Sequence, residues 1–243
     1  TVDPANQFYT SRDSSDNEIN GVMKINNDET TELIGVATFK EPGTTMTIPD
    51  TVKVVKKCAF FQVKNLKKVI IGDSVETLET YAFRENDIEE FEIGKNLKTI
   101  DEKFGNTFYG CNKRKKITVH TDNPYFTTQD GNDQECNCLM DKAHTKIYLA
   151  CYDGTESIAG TIPETVTVCL PYSFSMLEGL ESFDYFKGFE NIKEYAQWAI
   201  FGNSEVEEFT IGENVEKIGW SSFTYWSSLK DLHIKKELNS WPA

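Results

Sequence analysis

Residues 6–23 of this chain return at 123–140. NQFYTSRDSSDNEINGVM and NPYFTTQDGNDQECNCLM align without a gap at an offset of 117, and seven of the 18 positions are identical. The identical pairs are Asn6/Asn123, Thr10/Thr127, Asp13/Asp130, Asp16/Asp133, Glu18/Glu135, Asn20/Asn137 and Met23/Met140. Other pairs swap like for like, as in Phe8/Tyr125 and Tyr9/Phe126. Further on, MTIPDTV (46–52) answers GTIPETV (160–166), and IEEFEIGKNLKTI (88–100) answers VEEFTIGENVEKI (206–218). The chain is one unit written twice. Such duplication is a structural device before it is a chemical one, and it builds extended surfaces more naturally than a single catalytic cleft.

Each copy holds a shorter period. Ile48, Ile71, Ile93 and Val119 are 23, 22 and 26 residues apart; Ile162, Tyr185, Ile211 and Ile234 are 23, 26 and 23 apart. Apolar residues precede most of them by two and by five positions, giving an LxxLxL pattern, with Gly160 as an exception. Its closing alternation predicts a short strand. Pro49, Gly72, Gly94, Pro163 or Gly212 then turns the chain. A crossing follows, carrying an apolar pair such as Val75 and Leu78 and then a small residue followed by an aromatic (Ala59-Phe60, Ala82-Phe83, Thr107-Phe108, Ser173-Phe174, Ser222-Phe223). One coil cannot bury its apolar face alone, but stacked coils bury a continuous core beside a parallel sheet. Six coils are expected, beginning near residues 47, 70, 92, 161, 184 and 210.

The run TIPDTVKVVKKCAFFQVKNLKKVIIGDSVETLETYAF resembles the BspA-like leucine-rich repeats, whose pattern is roughly IPxxVxxIxxxAFxxCxxLxxIxI. TFYGC (107–111) resembles the AFxxC element. The resemblance covers about 47–119 and 161–234, and the NPYFTTQDG segment with its hairpin resembles inserts of that family. The second copy departs in having Trp198-Ala199-Ile200-Phe201 at the Ala-Phe position, extra residues nearby, and no Cys after Phe174 or Phe223. The implied fold is a repeat solenoid of leucine-rich type, with a parallel β-sheet on the concave side, irregular or short helical crossings on the convex side, and two β-hairpin modules. The expected layout is an N-terminal hairpin cap (1–46), three coils (47–119), an inserted hairpin module (120–160), three coils (161–234) and a tail (235–243). An uncovered sheet edge invites aggregation, which gives the first module a capping role. The hairpin strands are expected at about 21–25 and 31–37, and at about 138–142 and 146–152.

The chain has 243 residues, of which 39% are hydrophobic, enough to bury a core. No apolar stretch has the length of a membrane span. The first residue is Thr1 rather than Met, which reads as a trimmed or mature form and makes the lack of a leader uninformative. A net charge of −14 argues against nucleic acid and suits a basic partner. The six cysteines, Cys58, Cys111, Cys136, Cys138, Cys151 and Cys169, allow two readings. Either all are free and mostly buried, or Cys138 lies opposite Cys151 on the hairpin and bonds to it. Their spacing suits no zinc site. Asp130, Asp133 and Glu135, twinned by Asp13, Asp16 and Glu18, lack the ligand pattern of an EF-hand and read as solvated turns.

No catalytic motif occurs, and the three histidines (His120, His144, His233) do not repeat between copies. The expectation is a non-enzymatic module without cofactor or metal. The x positions of LxxLxL point away from the core. In the first copy they alternate in sign, so Lys67–Glu89–Lys115 and Lys68–Glu90–Lys116 form ladders across strands about 4.8 Å apart. In the second copy Glu181, Asp184, Glu207 and Glu208 accumulate before Lys230, Asp231 and His233. These seven residues form the candidate ligand-binding face. Trp198, Trp220, Tyr225, Trp226 and Trp241 read as core and cap, with an exposed sugar- or protein-docking surface as the other reading. The resemblance implies adhesion or recognition of a protein or glycan ligand, host or extracellular matrix included, at the cell surface or after secretion. The alternative is a scaffold for one intracellular or periplasmic protein partner. Free thiols favour a reducing compartment, and a Cys138–Cys151 bond favours export.

Overall fold

The computed structural model describes residues 2–3, 5–26, 31–102, 106–155 and 158–235. The chain forms two compact units. The first comprises residues 1–111 and 118–125, the second residues 112–117 and 126–243.

The first unit opens with an antiparallel meander, β1 (Tyr9–Arg12), β2 (Glu18–Ile25) and β3 (Thr31–Val36). The hairpin strands lie where the sequence placed them, and β1 adds a third. Next come β4 (Thr44–Thr47), β5 (Val52–Val55), β6 (Leu66–Ile71), β7 (Thr77–Leu78), β8 (Glu90–Ile93), β9 (Thr99–Ile100) and β10 (Lys116–Val119), of which Thr118 and Val119 belong to this unit. The LxxLxL segments form one parallel sheet in the order β10-β8-β6-β4. The crossings carry a second ladder, because β3 pairs in parallel with β5, and β7 and β9 continue it. Met46, Val69, Phe91, Val52, Val55, Phe60 and Phe83 are buried between the two sheets.

The second unit repeats this plan with β11 (Phe126–Gln129), β12 (Glu135–Asp141), β13 (Lys146–Ala150), β14 (Val168–Cys169), β15 (Glu194–Tyr195), β16 (Glu208–Ile211), β17 (Lys217–Ile218) and β18 (Asp231–Ile234). The offset of 117 holds in three dimensions. Tyr9↔Lys24, Thr10↔Met23 and Arg12↔Glu18 pair in one meander, and Phe126↔Asp141, Thr127↔Met140 and Gln129↔Glu135 in the other, with the bulge at the same step. Again the third meander strand starts the parallel ladder, in the order β13-β14-β15-β17.

Two devices stitch the coils. Buried asparagines bridge successive turns: Asn86 Nδ2 donates to the Phe83 and Phe60 carbonyls, and Asn203 Nδ2 to those of Ile200 and Phe174. The small-aromatic corner also needs a left-handed backbone just before it and four residues later. Cys58 and Gln62 (φ 60° and 54°), Tyr81 and Glu85 (58° and 54°), Tyr172 and Met176 (61° and 51°), and Ser221 and Tyr225 (56° and 62°) supply it without glycine. The hydrogen bonds of the corner, such as Phe60 N–H to the Ala82 carbonyl at 2.7 Å, offset that strain.

Arg114, 2% exposed, is the largest polar side chain in the core. Its Nε donates to the Ala150 carbonyl (2.6 Å) and its terminal nitrogen to the Ser175 carbonyl (2.7 Å), tying the end of β13 to the coil that follows. All six cysteines are free thiols, and Cys138 pairs in register with Ala150, not Cys151. Burial pushes the Cys136 thiol up to about 12.

Candidate ligand groove

LxxLxL predicts a strand at Leu180–Tyr185, but the chain coils there into two 3-10 turns, η1 (Phe183–Tyr185) and η2 (Phe189–Asn191). The reason is the apolar spacing. Phe183, Phe186, Phe189 and Ile192 recur every third residue, the period at which a 3-10 path stacks side chains on one face, and all four are buried. Ser182 caps η1, its hydroxyl accepting the Asp184 N–H at 3.1 Å. Gly188 sits before η2 with φ +87°, a conformation glycine takes without strain. Among the described residues the LxxLxL sheet of this unit consists of β16 and β18, paired in parallel from Glu208↔Asp231 to Ile211↔Ile234.

Beside η1 and η2 lies an open groove of about 1280 Å³. Its aromatic floor includes Phe183, Phe189 and Phe209, with ring centroids 4.8 Å apart for the first two and 5.1 Å for Phe183 and Phe209. Glu181, Asp184, Glu190, Glu205, Glu207 and Glu208 line it, against Lys187 and Lys235. The Lys187 ammonium is turned onto the Ile158 carbonyl at 2.9 Å. Tyr152 registers the resulting potential, its phenol being raised by burial and then by Glu181, Asp153 and Glu205.

The structure brings four of the seven candidate residues, Glu181, Asp184, Glu207 and Glu208, to this groove. Lys230, Asp231 and His233 lie on or beside β18, where Lys230 bridges Glu207 at 2.7 Å and His233 lies 3.1 Å from Glu208. Glu181 and Asp184 form no ion pair among the described residues. Glu190 and Glu205 escaped the sequence reading because neither occupies an LxxLxL position. In the first unit the ladder forms through Lys67–Glu89 (2.5 Å) and Lys68–Glu90 (3.7 Å), and Lys68 also reaches Glu92 at 2.9 Å.

The other candidates resolve differently. Asp13 and Asp130 each turn a carboxylate oxygen onto the N–H groups of their own loops, and Asp130 Oδ2 also accepts the Thr161 N–H at 3.2 Å. Among the described residues no His, Cys, Asp and Glu cluster is arranged to hold a metal ion. Of the aromatic cluster, Trp226 is buried, whereas Trp220 and Tyr225 are 51% and 73% exposed, correcting their assignment to core and cap. Trp198 stacks on Tyr172 at 5.2 Å and meets Trp220 edge-on at 4.8 Å, an aromatic step open to solvent. Trp241 lies outside the described residues. No described helix is long and apolar enough to cross a membrane.

The sequence profile of the BspA type leucine rich repeat region matches residues 24–129 and 145–242, in six copies. No curated protein matches the chain. Among solved structures it is similar to a leucine-rich repeat protein from Eubacterium ventriosum, 16% identical with a TM-score of 0.56, over 96% of this chain and 74% of that one. Lower similarity, at a TM-score of 0.35, links it to a leucine rich cell surface protein from Faecalibacterium prausnitzii, 13% identical over 91% of this chain and 94% of that one. The first likeness speaks to fold alone.

Proposed function

Because the chain belongs to the BspA type leucine rich repeat family, a family of repeat modules that bind protein partners, we propose that it is a non-enzymatic binding module recognising a protein ligand at the cell surface or after secretion. The observation that carries this reading is the groove: six carboxylates above an aromatic floor, of which only Glu207 and Glu208 are ion-paired among the described residues. A basic segment with apolar side chains between its charges complements both the rim and the floor. Charge complementarity of this kind speeds encounter and selects partners.

The test is solid-phase binding of the purified protein to a panel of extracellular matrix proteins and glycans at physiological salt. The double reversal Glu181→Lys with Asp184→Lys is expected to weaken saturable binding at least about tenfold, and raising the salt should mimic part of that loss. Lys67→Glu, on the first unit, should leave it unchanged. Saturable binding indifferent to the double reversal overturns the groove as the site.

Trp220→Ala addresses glycan recognition. Loss of glycan binding in this variant alone, by about tenfold for one stacking ring, would place the ligand on the aromatic step instead.

A second reading rests on the thiols. Six free cysteines suit a reducing compartment and favour a scaffold for one intracellular or periplasmic partner. Failure to bind anything on a broad panel, followed by capture of a single protein from a native lysate, would favour it.

A further inference from the structure

The LxxLxL sheet of the second unit lacks a strand in its interior, between two coils of the same unit. β16 repeats β8, as VEEFTIGENVEKI repeats IEEFEIGKNLKTI. β8 pairs in parallel with β6 of the preceding coil, from Lys68↔Glu90 to Ile71↔Ile93. β16 pairs with β18 of the following coil. On its other side, where the repeat calls for a match to β6, the chain winds through η1 and η2.

The register shows which backbone groups are left over. The Glu207 and Ile211 carbonyls accept the N–H groups of Asp231 and Lys235 at 3.2 and 3.1 Å. Alternate residues of a strand direct their backbone groups to opposite edges, so Phe209 also faces β18 whereas Glu208 and Thr210 face the other way. Among the described residues the N–H and C=O groups of Glu208 and Thr210 have no backbone partner on that edge. In the first unit the same edge is in use: the Gly94 N–H, at the end of β8, donates to the Ile71 carbonyl at 2.7 Å. Glu208, Phe209 and Thr210 all line the groove, so the open edge of β16 is one of its walls.

An unpaired edge is a template for an added strand. The side chains around it specify which strand. Phe183, Phe189 and Phe209 make the floor apolar, and Glu181, Asp184 and Glu208 make the rim acidic. Successive side chains of a strand point to opposite faces. A segment alternating apolar and basic residues therefore sets its apolar side chains on the rings and its cations among the carboxylates.

We propose, resting on the reading of the groove as the binding site, that its ligand binds by strand addition: an extended basic segment of a protein partner pairs, backbone to backbone, with the Glu208 and Thr210 edge of β16. The carboxylates select the segment, and the main-chain bonds hold it in register.

The probe is an acetylated peptide of about seven residues alternating lysine and valine, long enough to overhang β16 at both ends, titrated into the intact chain by calorimetry. Saturable binding of the unmodified peptide is expected. Two analogues carry N-methyl groups, one on the valine amides and the other on the lysine amides, and both keep every side chain and charge. In an added strand one set of amides faces β16 and the other faces away. One analogue should thus bind like the unmodified peptide, and the other should bind about tenfold more weakly or worse, the value of two hydrogen bonds. The valine set is the sensitive one if the added strand runs parallel to β16, as β6 runs beside β8, and the lysine set if it runs antiparallel. Thr210→Pro withdraws a donor from the protein itself, on an edge that tolerates proline, and should weaken the unmodified peptide about fivefold.

Equal affinity of the three peptides overturns strand addition. If Glu181→Lys with Asp184→Lys still weakens all three, the acidic groove stands as the site without it; peptides indifferent to that double reversal remove both. No saturable binding of the unmodified peptide also overturns strand addition, and dimerisation of the chain that the peptide fails to reverse would give the edge to a second copy instead.

Discussion

An Arg114→Met variant is expected to unfold its unit about 3–4 kcal/mol more readily than the parent. Methionine fills most of the volume of the arginine stem, so the cavity is small. The loss is chemical, because the Ala150 and Ser175 carbonyls lose a charged donor in a place water does not reach. Each buried acceptor left unpaired costs about 1–3 kcal/mol. The two carbonyls lie 36 and 61 residues from Arg114 in sequence, so no local turn can replace the link. Arg114→Lys should recover part of the loss, since one ammonium can serve one of the two carbonyls well. Tryptophan fluorescence in a urea titration is the measurement, because every tryptophan lies between residues 198 and 241, within the second unit. A midpoint within experimental error of the parent would sink the assignment of Arg114 as the tie between β13 and the following coil.

Gly188→Ala should cost a similar amount, about 3 kcal/mol, by a different route. The backbone there has φ +87°, where a side chain adds about 1 kcal/mol or more of strain. A Cβ would also stand 2.3 Å from the Ile162 carbonyl oxygen, a backbone atom without a rotamer to move. Overpacking of this kind typically adds about 1–3 kcal/mol. Because Gly188 lines the groove between η1 and η2, the substitution should weaken ligand capture at temperatures where the unit still folds. Gly35→Ala, where nothing lies within 4 Å of the added carbon, serves as the control and should be near neutral. Equal melting of the two variants would remove the close approach at Ile162 as a determinant of the fold.

The coils were legible because their landmarks are large and recur at nearly constant spacing. Val69, Phe91, Phe60 and Phe83 all lie in the core where the period puts them. The meander register was implicit in the gapless alignment of 6–23 with 123–140. Three things were hidden. The two-residue strands of the second ladder are too short for alternation to show. In four of the corners the left-handed positions are occupied by Cys, Gln, Tyr, Glu, Met and Ser, and glycine marks one only at Gly110 and Gly202, so no constant signal reveals them. And at Phe183–Ile192 a three-residue period sits inside a stretch that also satisfies LxxLxL, where packing chose the 3-10 path. The groove was legible to the same degree. Glu181, Asp184, Glu207 and Glu208 follow from the coil template, but the pairing of Glu207 and Glu208 with Lys230 and His233 depends on strand register, and Glu190 and Glu205 lie outside the repeat pattern.

In each unit a single strand, β3 or β13, has an antiparallel neighbour on one side and a parallel neighbour on the other. This gives the unit a grammar of growth. A coil-length stretch of coding sequence can be gained or lost beyond β5 or β14 without disturbing any bond of the meander, because each coil touches only its neighbours. A shift of one residue within β3 or β13 would turn every inward side chain of that strand outward and misalign the ladder built on it. Insertions and deletions should therefore accumulate on the coil side over descent, while the third meander strand keeps its length.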